Sequence, residues 1–276
     1  TLPEPDSTGS LASTKDIIVD GIPASILSVS SASENGVYGI GDEVSVTVQF
    51  NEVVNVTGVP KLTLETGSND GIASYSIGSG TNTLSFIYTV TVGHSNSDLD
   101  YNSNSALVLN NGVIQDLAGN NVALTLPSVG ETGSLSANKS LVIDGVFATV
   151  DSVSAITANG YYKAGDTLDI TVHFNENVNV TGTPQLVLET GSNDATIYYS
   201  SGSGASTLSF RYIAEEGHLN TDLGYVNTSS LSLNNGLIRD LAGNDATLTL
   251  AEPSATGSLS GNKSLVVDAI SPSVFS

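Results

Sequence analysis

The side chains in this sequence that could do chemistry are oxygen donors arranged in two matching sets. Asp20, Glu52, Asp116 and the amide of Asn120 recur 124 positions later as Asp144, Glu176, Asp240 and Asn244. Carboxylates gathered in one place cannot all ionise cheaply without a cation. A donor set with neither imidazole nor thiolate suits a hard ion. Ca²⁺ takes roughly six to eight such oxygens, whereas Mg²⁺ keeps its waters and avoids all-protein cages. The competing reading is that Asp116 and Asn120 make side-chain turn bonds around Gly119, with Glu52 a solvated loop residue. A second acidic stretch, Gly93 to Tyr101, holds Asn96, Asp98 and Asp100 and offers a further candidate site, with Asp222 the counterpart of Asp98. Gly224 stands where the first copy has Asp100, so that ligand set is not kept. A tyrosine entering a strand with an aspartate before it also fits a structural corner. His94 and His218 are equivalent loop positions and His173 falls in a strand; all three read as exposed polar residues rather than transition-metal ligands. Asp42 and Asp166, each following a glycine, read as turn formers.

Composition narrows the classes. Twenty-eight acidic side chains face seven basic ones, for a net charge of -21. That excludes nucleic acid as a default partner, because phosphate binding needs clustered Lys and Arg, and it disfavours anionic membrane surfaces. Cysteine is absent, which removes disulfides, thiolate metal sites and a cysteine nucleophile. Methionine is absent too, so Thr1 is expected to be a cut end of a longer chain. No apolar run approaches the ~18 residues of a membrane helix, and membrane insertion is not expected. An enzyme needs an unlike set of acid, base and nucleophile in one pocket. Here everything comes in two near-copies, without a nucleophile elbow, a P-loop or a zinc signature, and no catalysis is expected.

The elements that must position these side chains come in repeats, which are sought first because they decide the fold. Residues 20–143 match residues 144–267 at 71 of 124 positions without a gap. NEVVNVTG at 51–58 returns as NENVNVTG at 175–182, LETGSND at 64–70 returns at 188–194, and DLAGN at 116–120 returns at 240–244. The register runs past both ends. Residues 1–19 read as the tail of a preceding repeat and 268–276 as the start of a following linker. Each copy nets -9, from 11 acids and 2 bases or from 13 acids and 4 bases. Like-charged modules in a row repel one another.

Within the first copy the expected strands are Ala24–Ser30, Glu43–Phe50, Lys61–Glu65, Ile72–Ile77, Thr83–Val92, Ala106–Leu109 and Val122–Leu126. Alternation is clearest in Val44 to Phe50 and in Leu84 to Val90, as for strands with one buried face. Asn35-Gly36, Asp70-Gly71 and Asn111-Gly112 supply turn chemistry. About seven strands in ~110–120 residues is the profile of an immunoglobulin-like sandwich, so the sequence predicts an all-β chain of two tandem immunoglobulin-like β-sandwich domains end to end. Strand parity then puts Asp20, the Asn51-Glu52 loop and Asp116–Asn120 at one end of the sandwich, and the Gly93–Tyr101 segment at the other.

The ordered set VDG, NGVYGIGDEVSVTVQFNEVVNVTG, LTLETG, TLSFIYTV, GVIQDLAGN and LVIDG resembles the tandem bacterial immunoglobulin-like repeats of very large surface adhesins, which leave the cell by type I secretion, often with RTX repeats near the C-terminus. The resemblance covers essentially the whole chain. It implies an extracellular, calcium-rigidified spacer that holds a ligand-binding tip away from the bacterial cell surface. The partners it implies are neighbouring repeats of the same chain, in a monomeric rod. The rival expectation is an extracellular carbohydrate- or other ligand-binding module, for which Tyr198-Tyr199 and the Thr-rich strands offer the only sequence signal.

Overall fold

The computed structural model describes residues 1–272; the last four residues of the expected 268–276 linker lie outside them. The chain divides into two compact units, Thr1–Asp144 and Gly145–Ser276. Both are all-β with curled sheets, apart from single helical turns. Among the described residues no helix is long and apolar enough to cross a membrane.

The first unit is organised by one long strand, Glu43–Thr57. Its first half alternates, with Val44, Val46, Val48 and Phe50 fully buried. These face Tyr88, Phe86 and Leu84 of strand Thr81–Thr89 through the pairs Val44↔Tyr88, Val46↔Phe86 and Val48↔Leu84. Each such side chain contributes about 1.5–3 kcal/mol by leaving water, and that row is the core of the unit. Strand Ile26–Ser31 pairs on the other side, and Gly71–Ile77, Lys61–Leu64 and Leu107–Val108 follow in order beyond Thr81–Thr89.

Between Gln49 and Val54 the register shifts, because residues 50–53 face Asn82 alone. A bulge of this kind bends a strand and re-aims its side chains. Beyond it the same strand pairs with Val113–Asp116, from Val54↔Asp116 to Thr57↔Val113. The expected loop at Asn51-Glu52 is therefore a bulge inside a continuous strand. Asn51 fixes it: its N–H donates to the Ser25 carbonyl at 3.0 Å, and its side-chain oxygen accepts from the Ser25 N–H at 2.7 Å.

Other expectations are corrected as well. Val122–Leu126 is not a strand; this segment contributes only isolated bridges such as Ser25↔Ala123. Two strands absent from the sequence reading carry weight instead. Val113–Asp116 is one. Leu141–Asp144 is the other, forming a separate small sheet between Gly36–Tyr38, to which it is parallel, and Ser95–Asn96, to which it is antiparallel. The turn expected at Asn111-Gly112 sits one residue earlier. Gly112 N–H donates to the Leu109 carbonyl at 2.7 Å, so Asn110 and Asn111 are the central pair, with φ of 49° and 62°. Asparagine tolerates that left-handed region better than most residues, and the primed turn matches strand twist.

The second unit repeats this plan, with strand Thr167–Thr181 paired to Ala205–Ile213 before its bulge and to Leu237–Asp240 after it. Both units place a capped helical turn ahead of the last strand. Ser134 accepts from the Ala137 N–H before Leu135–Asn138, and Ser258 accepts from the Gly261 N–H before Leu259–Asn262. The N-terminal segment carries the same device, Ser10 accepting from the Ser13 N–H ahead of Leu11–Thr14. Ile18 and Val19 after it are exposed, whereas Leu141 and Ile143 are buried.

Gly112 lets the strand bearing Asp116 approach the long strand. A methyl there would run into the Thr57 carbonyl and lie 2.9 Å from that of Leu109. We expect Gly112→Ala to lower stability by about 1–3 kcal/mol, read as a fall in the urea midpoint. Gly119→Ala, which meets no atom within 4 Å but holds φ of 90°, serves as a comparison that reports backbone strain without crowding.

Candidate metal centre

Asp116 is the fixed point of the site. It ends strand Val113–Asp116 and is 2% exposed. The turn that follows closes on it. One carboxylate oxygen accepts from the Ala118 and Asn120 N–H groups, each at 2.9 Å, and the other accepts from the Asn120 side-chain amide at 2.8 Å. Gly119, with φ of 90°, makes the turn possible. Burial works to raise the Asp116 pKa, but the Asn120 side-chain and backbone bonds, with those of Ala118 and Gly119, outweigh it and hold it below the usual 3.8. Asp116 is thereby locked as an anion.

Glu52 arrives from the bulge and Asp20 from the segment before the first strand. Carboxylate oxygens of Asp20, Glu52 and Asp116 all lie within 4.8 Å of one another. Burial raises the Glu52 pKa above its ordinary 4.5, and the charges of Asp20 and then Asp116 raise it further. Asn120 is engaged on the carboxylate side, donating to Asp116 and, at 3.2 Å, to the Asp20 carbonyl. It acts here as the brace that holds Asp20 and Asp116 together, and its nitrogen is not a metal ligand.

The second unit carries the same arrangement. Asp240, 1% exposed, accepts from the Asn244 N–H at 2.9 Å and from its side-chain amide at 2.8 Å. Carboxylate oxygens of Glu176 and Asp240 lie within 4.8 Å of each other. Asp144, the counterpart of Asp20, is the final residue of strand Leu141–Asp144 and stands at the division between the units.

The donor chemistry fits a hard divalent cation. Oxygens bound to calcium at about 2.3–2.6 Å can be up to ~5 Å apart across the ion, which matches the spread of the three carboxylates in unit one. An ion there would offset the repulsion that raises Glu52. A scan against protein-family models and a search of curated proteins both returned no match.

The remaining candidates fall elsewhere. Asp100 is buried and bonded by four donors: the Tyr101 and Leu135 N–H groups at 2.9 and 3.3 Å on one oxygen, and the Gly130 N–H and Ser136 hydroxyl at 3.1 and 2.7 Å on the other. It ties the strand corner to the capped turn. Asp98 and Asp222 are exposed, their N–H groups held by Asn96 and Asn220. Among the described residues no group of three potential ligands forms around any of these three. The corner tyrosine bonds forward, Tyr101 Oη donating to the Pro127 carbonyl at 2.6 Å and Tyr225 Oη to that of Ala251 at 2.6 Å. The histidines are not simply exposed. His94 and His218 stack on Tyr88 and Tyr212, with Nδ1 at 2.8 and 2.9 Å from the phenol oxygens, and His218 is buried. His173 sits between the hydroxyls of Thr171 and Thr207. Asp42 and Asp166 cap their turns by accepting from Gly39 and Lys163.

Asn51 and Asn175, which pin the bulges, escaped sequence reasoning. The signal was the repeated Asn-Glu pair, of which only the glutamate has an obvious metal role.

Two predictions follow from these side chains. Glu52's raised pKa means that the folded unit holds this proton more tightly than the unfolded chain. Without metal, stability from this group falls as pH rises from 4.5 through the raised value; Asp116 has the opposite sign, its contribution being lost as pH falls from 3.8 through its lowered value. Glu52→Gln should therefore raise the melting temperature in chelator at pH 7, while weakening calcium binding on the order of tenfold. A shift of the same sign in chelator and in excess calcium would remove Glu52 from the site. Asp100→Ala should cost about 1.5–3 kcal/mol of stability through lost charged hydrogen bonds and leave calcium stoichiometry, read by calorimetry, unchanged.

Proposed function

We propose that the chain is a calcium-rigidified extender module of a large bacterial cell-surface adhesin, made of tandem immunoglobulin-like β-sandwich repeats. It is exported to the cell exterior and spaces a ligand-binding tip from the cell. The observation that carries this reading is the recurrence of one carboxylate arrangement on the same elements in both units: a buried aspartate braced by an asparagine, with a glutamate aimed at it from a strand bulge. The resemblance of the ordered motifs to adhesin repeats supports it. So does a composition without His-rich, Cys or basic clusters to suggest another task.

In this reading Asp144 is the counterpart of Asp20 in the repeated ligand set, and bound calcium stiffens each repeat. Bound cations would also offset charge, because two modules of net charge -9 repel one another. The protein's neighbours are then further repeats of its own chain, and the working form is a monomeric rod.

A ligand bound only by the folded state stabilises it by RT ln(1 + [L]/Kd), about 2.7 kcal/mol at 100 Kd. The melting temperature should therefore fall clearly on moving from millimolar calcium to EGTA. Small-angle scattering should change from an extended, rigid particle to a flexible one over the same step. Coincident melting curves in the two conditions would overturn the calcium reading, and a compact, side-by-side particle in calcium would overturn the spacer reading.

A further inference from the structure

The places where the two copies differ carry information of their own. In unit two, strands Gln185–Glu189, Ala195–Ser201, Ala205–Ile213 and Thr167–Thr181 lie side by side. Their register lines up Gln185↔Tyr198, Tyr198↔Arg211 and Arg211↔Asp169 in one row across the sheet. Their neighbours along the strands, Leu186, Ile197, Phe210 and Ile170, are buried, so the row itself stands on the solvent face. Tyr198 is 52% exposed. Arg211 is held in place by its Nε bond to Asp169 at 3.1 Å. A groove of about 500 Å³ adjoins the row, lined by Asp194, Tyr198, Arg211, Glu215 and His218. His218 is immobilised by Tyr212 and by the Glu215 N–H. Unit one folds in the same register and keeps the counterparts of Asp194 and His218 as Asp70 and His94, but not the row: there it reads Lys61, Ser74, Ile87 and Ser45, and Thr91 stands in place of Glu215.

We propose that this groove on unit two binds a neutral saccharide. An exposed tyrosine ring gives a flat apolar surface with a polar edge, suited to the C–H face of a pyranose. The planar polar groups beside it, Arg211, Gln185, Asp194 and Glu215, supply paired donors and acceptors for vicinal hydroxyls. Arg211 is neutralised by Asp169, and Asp194 and Glu215 leave the groove negative. An anionic sugar or a nucleic acid is therefore repelled, and a neutral polyol is not. A lining dominated by charged and hydroxyl-bearing groups also leaves little for an apolar peptide. This site does not depend on the proposed ion centres, and a module can be a spacer and still carry a lateral contact.

The test uses the full chain in excess calcium. Cellohexaose, maltohexaose and mannohexaose serve as neutral probes and an oligogalacturonate as the anionic one, with binding read by calorimetry and by NMR shift changes. At least one neutral probe should bind, and the oligogalacturonate should not. Tyr198→Ser and Arg211→Ile should each weaken that binding on the order of tenfold or more. Both install the residue that unit one already carries in the same register, so the fold accommodates them. Gln185→Lys is a third such variant should either fail to melt cooperatively. Failure of all neutral probes to bind, binding of the anionic probe alone, or undiminished binding by a folded Tyr198→Ser chain would overturn the proposal.

Discussion

Everything in each unit turns on a strand too long to belong to one flat sheet. Glu43–Thr57 spans 15 residues, and a strand of that length must bend if its apolar face is to stay in contact with a compact core. The register break at residues 50–53 provides the bend. Before it, alternation buries Val44 to Phe50; after it, pairing transfers to Val113–Asp116. The same break that closes the fold points Glu52 at Asp116. Core geometry and site geometry are thus set by one feature, and the close approach of Gly58 and Gly112 at the strand's far end keeps the second half in register.

The electrostatics of the site are deliberately unequal. Asp116 is given every hydrogen bond that the turn can supply and stays an anion, while Glu52 receives the unfavourable field of its neighbours. A group of three equally stabilised carboxylates would titrate as one acidic patch. Here one carboxylate is held below its ordinary pKa by hydrogen bonds, while burial and the neighbouring charges raise that of another. The asparagine brace matters in this division. By donating to Asp116 and to the Asp20 carbonyl, Asn120 lowers the one pKa and limits the distance that Asp20 can retreat.

Much of this was legible in the sequence. A 124-residue period and strict alternation in Val44–Phe50 were enough to single out Asp20, Glu52 and Asp116 as one recurring set, and the structure does bring their carboxylates together. The count of strand reversals was one short, because the turn at Asn110-Asn111 starts the additional strand Val113–Asp116; it is the bend of the long strand at its bulge that carries Glu52 to Asp116. What was not legible was pairing beyond the alternating segments. Val113–Asp116 is four residues long and carries its polar side chains at a site, so its pattern resembles a turn. Val122–Leu126 has the apolar pattern of a strand yet forms only isolated bridges. Leu141–Asp144 is not picked out as a strand because its partners, Gly36–Tyr38 and Ser95–Asn96, are too short to announce themselves. The histidines were misjudged for a related reason: polarity alone does not show that a buried tyrosine hydroxyl waits across the turn.

Duplication separates what the fold demands from what it merely permits. Bulge, brace, tyrosine corner and capped turn persist in both copies, and each is tied down by several bonds whose loss would expose or orphan buried groups. The solvent row across the four central strands is under no such demand. Unit one fills it with Lys61, Ser74, Ile87 and Ser45, and unit two with Gln185, Tyr198, Arg211 and Asp169. Asp100 shows that even a buried anchor can be exchanged: unit two has Gly224 there, and Ser260, the counterpart of the Ser136 that bonds Asp100, packs at 3.3 Å from where a side chain would begin. A repeat built this way can keep its carboxylate centre invariant from copy to copy while its outer sheet face varies freely. The fold therefore has room to change its outer sheet face without touching the bulge, the brace and the carboxylates they bring together.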